Sequence, residues 1–309
     1  MKKLFVIALL SLVFVSCDKV ENPFPPQESI DLDTTLFPGL WNDYVTTEWP
    51  TFTANTNVNR NVLIEDFTGH KCIYCPAAAD FAHGLHEANP TRIFIASIHA
   101  DPTGIGDFQT VQLPDYPLDF TNSQGVEIGT YFGINDGGFI GNPRGPVNRI
   151  TSGGYIFQSP NSWASLTSST LSANVLKVNI QSHLNYYPST KGAFLHTEVE
   201  KIDGALGDLA MVVYMLEDSL VGDQKMSDNS HNSSYVHRDI MRGCVDGRTW
   251  GRTLSSDDLI GDKYYLDYSF VVPNQLDGNY NADNMHVLIY VYDKQTLEIY
   301  QVIKQKIIE

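Results

Sequence analysis

Residues 61–99 read NVLIEDFTGHKCIYCPAAADFAHGLHEANPTRIFIASIH, and this stretch decides the fold. Its two ends, Asn61 to Phe67 and Ile93 to His99, are apolar runs of strand length, and Cys75 to Ala88 between them reads as a helix. Two buried strands joined by a helix imply a parallel pair with a helical crossover. The chemistry lies in HKCIYCP, residues 70–76. A thiol at a helix start meets unpaired backbone N–H groups and the positive end of the helix dipole, so Cys72 is the expected nucleophile. Cys75, one turn into the helix, is placed to resolve a mixed disulfide formed at Cys72. Pro76 fits the first turn, where its missing N–H costs nothing. The same spacing also suits an inert structural disulfide or half of a zinc site. Zinc would need two further ligands, and only Cys244 with a histidine such as His70 or His99 could supply them.

The surroundings of the pair resemble thioredoxins. Asp66-Phe67 lies six positions before Cys72, where thioredoxins carry a partly buried Asp followed by Phe. Gly141-Asn142-Pro143 stands where they place a cis-proline facing the cysteines, with Pro146 as a second candidate. The chain departs from that pattern in lacking a Trp before Cys72, in its Ile73-Tyr74 pair, and in a long loop after His99. The resemblance implies thiol-disulfide exchange, with Pro143 shaping the substrate groove. Strand alternation puts Asp66 on the face of Val62 and Ile64, opposite Leu63, Glu65 and Phe67. A carboxylate there either accepts the Cys75 proton, with a pKa raised by desolvation, or caps the loop Thr68 to Lys71. His70 could lower the thiol pKa when protonated, or be a solvated loop residue.

A polar, Gly- and Pro-rich insert, Ala100 to Phe120, follows. A short helix near Ser123 to Phe132, a strand Val147 to Thr151, a Gly153-Gly154 turn, a strand Tyr155 to Gln158 and a helix Asn161 to Leu171 come next. Asp107, Asp115 and Asp119 lack the spacing of a calcium loop. Beyond Leu171 the periodicity becomes two. Leu176 to Leu184 and Tyr265 to Val272 alternate, Leu209 to Leu216 and Val287 to Tyr292 are apolar throughout, and Ala193 to Ile202 with Ile299 to Ile308 complete about six strands. The expected architecture is an α/β thioredoxin-like domain over residues 60–172, then an antiparallel, immunoglobulin-like β-sandwich over 173–309. A piece from Val58 to Ala173 is expected to fold alone. Six strands, two of them apolar on both faces, cannot line the polar lumen of a membrane barrel.

The chain has 309 residues, 42% of them hydrophobic, and a formal charge of −16. This composition argues for folded cores and against nucleic acid as a partner. At the N-terminus, Lys2 and Lys3 precede the apolar run Leu4 to Val15 and then Ser16-Cys17, which reads as a lipoprotein signal over residues 1–16 with Cys17 as the lipidated residue. Phe14 departs from the Leu of a strict lipobox. Residues 17–59, opening on Pro23-Phe24-Pro25-Pro26, read as the lipidated N-terminus and a stiff tether.

The lipobox, EDFTGHKCIYCP, IASIHA, NPRGPVNR and YVHRDIMRG (residues 235–243) together resemble the Omp-twenty-eight-related family of outer-membrane lipoproteins, which join a thioredoxin-like domain to a C-terminal β domain. In that family a second His usually follows the first by two residues, where this chain has Asp239. The resemblance implies a lipid anchor in the outer membrane, on its periplasmic face or at the cell surface. His237 and Arg242 are expected to pack loops, and Cys244 to be a small buried residue. The leading expectation is thiol-disulfide exchange with exported proteins or a redox partner protein, carried by Cys72, Cys75, Asp66, Pro143 and His70, with no cofactor and no metal. The alternative is a surface or periplasmic binding lipoprotein on an inactive thioredoxin-like scaffold.

Overall fold

The computed structural model describes residues 32–278 and 280–308. The expected signal segment (residues 1–16), Cys17 and the start of the expected tether lie outside the described residues. Residues 33–59 are bound to the protein rather than free. The single turn α1 (Trp41–Asp43) continues into a wider helical turn, Tyr44–Glu48, and turns Tyr44 inward to pack with Leu36 and Phe194. Trp41 stacks on Tyr44 with centroids 4.7 Å apart, and the Tyr44 hydroxyl meets Nε2 of His196 at 2.6 Å. The described part of the tether expected up to Asn59 is therefore docked, because Phe37, Trp41, Tyr44 and Trp49 carry too much aromatic surface to remain in water.

The opening unit follows the sequence closely. Strand β1 (Val62–Thr68), helix α2 (Cys75–Ala88) and strand β2 (Ile93–His99) form a parallel pair with a helical crossover, in register from Val62↔Ile93 to Thr68↔His99. Helix α3 (Ser123–Asn135) starts at an Asn122 cap that accepts the Gly125 N–H, and α4 (Pro160–Ala173) ends at left-handed Asn174. Val62 and Ile64 pack with Ala78, Ala82 and Trp163 on the α2 and α4 side, while Leu63 and Phe67 face α3.

The expected strands over 147–151 and 155–158 do not form. Only single bridges occur there, Ile64↔Val147, Gly145↔Gln158 and Ser152↔Tyr155. Asn148 and Arg149 have φ of 47° and 51°, a region that Asn tolerates and extended strands exclude. The Asn148 side chain substitutes for a strand partner: its Oδ1 accepts the Leu63 N–H at 2.6 Å and its Nδ2 donates to the Asn61 carbonyl at 3.0 Å. The loop lies against β1 so closely that a Cβ on Gly145 would stand 1.8 Å from the Glu65 carbonyl oxygen.

All six expected C-terminal strands are present: β3 (Val178–Tyr187), β4 (Gly192–Lys201), β5 (Leu209–Glu217), β11 (Lys263–Val271), β12 (Met285–Asp293) and β13 (Ile299–Lys306). Five more lie between β5 and β11: β6 (Leu220–Lys225), β7 (His231–His237), β8 (Ile240–Cys244), β9 (Arg252–Thr253) and β10 (Leu259–Ile260). The larger sheet has the order β1-β2-β8-β5-β12-β13 with β9 on β5, a four-stranded sheet runs β10-β11-β4-β3, and β6-β7 is a separate hairpin. Leu209, Met211 and Val213 of β5 face the four-stranded sheet, while Ala210, Val212 and Tyr214 face α3. Both faces of β5 are buried, which is why its sequence is apolar without alternation.

The fold is thus mixed α/β with large antiparallel sheets. The change of periodicity near residue 173 coincides with the end of α4, yet the sheet runs through it. Ser97 of β2 donates its N–H to the Asp239 carbonyl at 2.8 Å, and one core joins Leu63, Phe67 and Ile98 to Val212, Tyr214 and Tyr290.

Candidate functional site

Cys72 and Cys75 are joined in a disulfide at the start of α2. The Cys72 N–H donates to the Gly69 carbonyl at 3.0 Å, which curls the loop back before the helix. Each cysteine is only 1% exposed. Two segments cover them. From the insert, the Phe108 carbonyl accepts the Lys71 N–H at 3.1 Å, and Gln109 Nε2 donates to the Thr68 carbonyl at 2.7 Å. From the β6-β7 hairpin, Gln224 Nε2 donates to the Cys72 carbonyl at 3.1 Å and the Lys225 N–H to the His70 carbonyl at 2.8 Å.

Asp66 lies on the α2 side of β1, is 1% exposed, and has no hydrogen-bond partner among the described residues at either carboxylate oxygen. Desolvation raises its pKa from the usual 3.8 to about 7, because the charged form loses its hydration. Capping of the loop Thr68 to Lys71 is not what Asp66 does, since no backbone N–H reaches it.

His70 is not the solvated residue that the loop suggested. Its ring is buried among Tyr116, Phe120 and His99, with centroids at 5.7, 5.5 and 6.3 Å. Burial, helped by Lys71, lowers its pKa to about 4, so near neutral pH it carries no charge with which to draw down a thiol pKa. Pro143 follows a cis Asn142–Pro143 bond, while Gly145–Pro146 is trans. Paired Phe67 and Arg144 backbones hold Pro143 at the end of β1 from which the cysteine loop departs.

A cavity of about 200 Å³ opens between α2 and β7. Asp66, Cys75, His99 and His237 line it together with Ala79, Asp80 and Tyr235, whereas Cys72, His70 and Pro143 do not. Burial holds His99 well below the ordinary histidine range and His237 at about 4, so both rings are neutral near pH 7. The sequence gives His237 only a loop-packing role, outside the expected thioredoxin-like part. His237 arrives here because β8 pairs with β2 and carries β7 over α2. The signal was present in the YVHRDIMRG segment, but its spacing named no partner. Arg242 stays away from the site, 3.3 Å from Glu217 and over the Tyr280 ring. Cys244 is unpaired, and desolvation pushes its thiol well up, which makes it a poor nucleophile. Among the described residues no three His, Cys, Asp or Glu side chains are grouped as a metal site requires.

On the opposite face of β1, Glu65 forms a buried bidentate pair with Arg149 at 2.7 Å, and the Tyr214 and Tyr290 hydroxyls lie 3.2 and 3.0 Å from Arg149 Nη2. This network ties β1 to β5 and β12. Its members were not singled out as a group in the sequence, because nothing local marks which Glu will meet which Arg.

The model of the family described as outer membrane protein Omp28 matches residues 134–309. The match begins beyond the cysteine pair and takes in Pro143, Arg149 and residues 235–243. No curated protein matches the chain. Among solved structures, the chain is similar to HBP35 of Porphyromonas gingivalis, with 15% identity, a TM-score of 0.59, and coverage of 80% of this chain and 75% of that one. It is also similar to a domain of the outer membrane lipoprotein Omp28 from Porphyromonas gingivalis, at 24% identity and a TM-score of 0.31, covering 43% of this chain and 90% of that one. A protein from Agrobacterium tumefaciens gives 12% identity and a TM-score of 0.47, covering 80% of this chain and 95% of that one. The first of these likenesses speaks for a shared fold. No helix among the described residues is long and apolar enough to cross a membrane.

Proposed function

We propose that this chain, which belongs to the Omp28 family of outer membrane proteins, carries out thiol-disulfide exchange in the cell envelope through Cys72 and Cys75, with exported proteins or a redox partner among its substrates. We read β1, α2, β2 and α4 as a thioredoxin-like unit, and the packed β3–β13 sheets as an immunoglobulin-like sandwich fused to it. One observation carries the reading: a disulfide at a helix start shares a cavity with a buried carboxylate that has no partner. Unpaired buried carboxylates are costly, and a proton acceptor poised near neutrality is a use that would retain one. Asp66 takes the proton of Cys75 as that thiol becomes the thiolate that attacks the Cys72 mixed disulfide, and gives it to the substrate thiolate that leaves as the Cys72–Cys75 bond re-forms. Pro143 flanks the cysteine loop, and His70 packs beside it as a neutral ring.

The near-complete burial of both cysteines favours a second reading, an inert disulfide in a lipoprotein that binds a protein or glycan through its β-sheets. Turnover of a model disulfide by the full chain in the presence of a reductant separates the two. Exchange requires turnover that Cys72→Ser abolishes, and a rate equal to that control establishes the scaffold.

A further inference from the structure

The route to the disulfide narrows the substrate. With the insert and the hairpin hydrogen-bonded over the cysteine loop, no open surface presents the Cys72 sulfur to a folded protein. The cavity between α2 and β7 reaches Cys75 alone of the pair. We propose, resting on the exchange reading above, that the disulfide reacts with low-molecular-weight aminothiols of about cysteine's size, which enter this cavity and attack Cys75 rather than Cys72.

Size and polarity both point that way. An apolar cavity of about 150 Å³ accommodates benzene, so about 200 Å³ admits an amino-acid thiol and excludes most of a tripeptide thiol such as glutathione. The lining is not apolar, however. Both Asp66 oxygens, His99 Nδ1 and His237 Nε2 are buried without partners, and they call for a ligand that brings hydrogen-bond donors. An amino group answers that need. Asp80 and Arg238, one on each wall, give the mouth both signs of charge, which suits a zwitterion.

The chemistry balances with the thiol as reductant. Asp66 takes the proton of the entering thiol, and the resulting thiolate attacks Cys75 Sγ. The Cys72–Cys75 bond breaks, and Cys72 leaves as a thiolate that is then protonated. A second molecule of thiol attacks the small-molecule sulfur of the mixed disulfide and releases Cys75 as a thiol. Two thiols are oxidised to one disulfide and the protein disulfide is reduced to two thiols, a two-electron exchange.

The test uses the full oxidised chain in detergent. Loss of its disulfide is followed by alkylation and mass spectrometry with cysteine, with glutathione and with a small protein bearing one exposed thiol. Each rate is normalised to the rate of the same thiol on an unhindered model disulfide. Cysteine should exceed the other two by roughly tenfold or more, a difference of about 1.4 kcal/mol in barrier. Ala79→Phe on the α2 wall should bring cysteine down to the glutathione level, and Val236→Trp on the facing strand is the second variant should the first unfold. Incubated with aminoethyl methanethiosulfonate, a reagent of about cysteine's size that releases methanesulfinate, Cys72→Ser should retain an aminoethylthio group on Cys75, and Cys75→Ser should retain none. Equal normalised rates, an unchanged rate in both wall variants, or labelling of Cys75→Ser alone would overturn the cavity route and leave exchange standing. Resistance to every thiol until the chain unfolds would overturn both.

Discussion

Replacing Asp66 by Asn tests the buried carboxylate directly. Asp66 titrates at about 7 in the folded chain against 3.8 when solvated, so between these values the native state holds a proton that the unfolded state has released. Stability therefore falls as pH rises through this window, and the full cost of a buried charge stands above pH 7. At about 1.36 kcal/mol per pH unit the interval corresponds to about 4 kcal/mol. Asn has nearly the same shape and no charge. The stability difference between Asp66→Asn and the parent should grow by about 4 kcal/mol in favour of the variant between pH 4 and pH 8. Urea unfolding followed by tryptophan fluorescence, with the disulfide intact, measures this in a series of buffers. His70 and His237, both lowered to about 4, act in the opposite sense: the unfolded chain binds their protons first, so they add stability as pH rises from about 4 to 6.5. Both chains carry them, and they cancel in the difference. An unpartnered Asn amide adds an offset that does not vary with pH. A difference that stays flat across the range, or that shrinks toward alkaline pH, would refute the desolvated carboxylate and the proton-acceptor role built on it.

Three further outcomes follow from other parts of the molecule. Arg149→Met leaves the Glu65 carboxyl buried beside Tyr214 without its ion-pair partner, and should cost about 3–5 kcal/mol in urea unfolding, part of which Glu65→Gln in the same chain restores. Residues 58–173 alone should give a poorly dispersed amide spectrum, because β2 loses its β8 partner and the core of Leu63, Phe67 and Ile98, although it keeps α3, loses Val212, Tyr214 and Tyr290; a well-dispersed spectrum would show that the opening unit folds by itself. Cys17→Ser should move the protein from the membrane pellet to the soluble fraction, and protein that still sediments after a salt wash would count against lipid as the anchor.

The parts legible in the sequence are those whose residues answer to local rules. The opening strand, helix and strand were readable because apolar runs of the right length flank a helix with proline in its first turn. The same holds for β5, apolar throughout because a sheet covers one side and α3 the other. The hairpin was not readable. LVGDQK and HNSSYVH do not alternate apolar with polar residues, since the buried positions of β6 are Leu220, Gly222 and Gln224, only one of them a large apolar side chain, and β7 is largely exposed. Residues 147–151 looked like a strand by composition, but Asn148 hydrogen-bonds to both Leu63 and Asn61 and bends the backbone into the left-handed region. Glu65 read as one residue of an alternating strand, because its Arg149 partner lies 84 positions away and no spacing rule connects them.

The candidate site shows why the redox reading could not be completed from the cysteine segment alone. A carboxylate on β1 would be hydrated in an isolated strand-helix-strand unit, since one side of the α2 groove would lie open. What desolvates Asp66 is β7 lying across that groove, and β7 is held there by β8 hydrogen-bonding to β2 through Ser97 and Asp239. The same strand brings His237 and Tyr235 to the cavity, and its hairpin partner β6 brings Gln224 onto the Cys72 carbonyl. The C-terminal half therefore sets both properties on which the proposed exchange depends, the proton affinity of Asp66 and the access of thiols to sulfur. Sequence changes in 220–244, a region with no cysteine in contact with the pair, should then retune the proposed exchange as strongly as changes in Ile73 and Tyr74 between the cysteines.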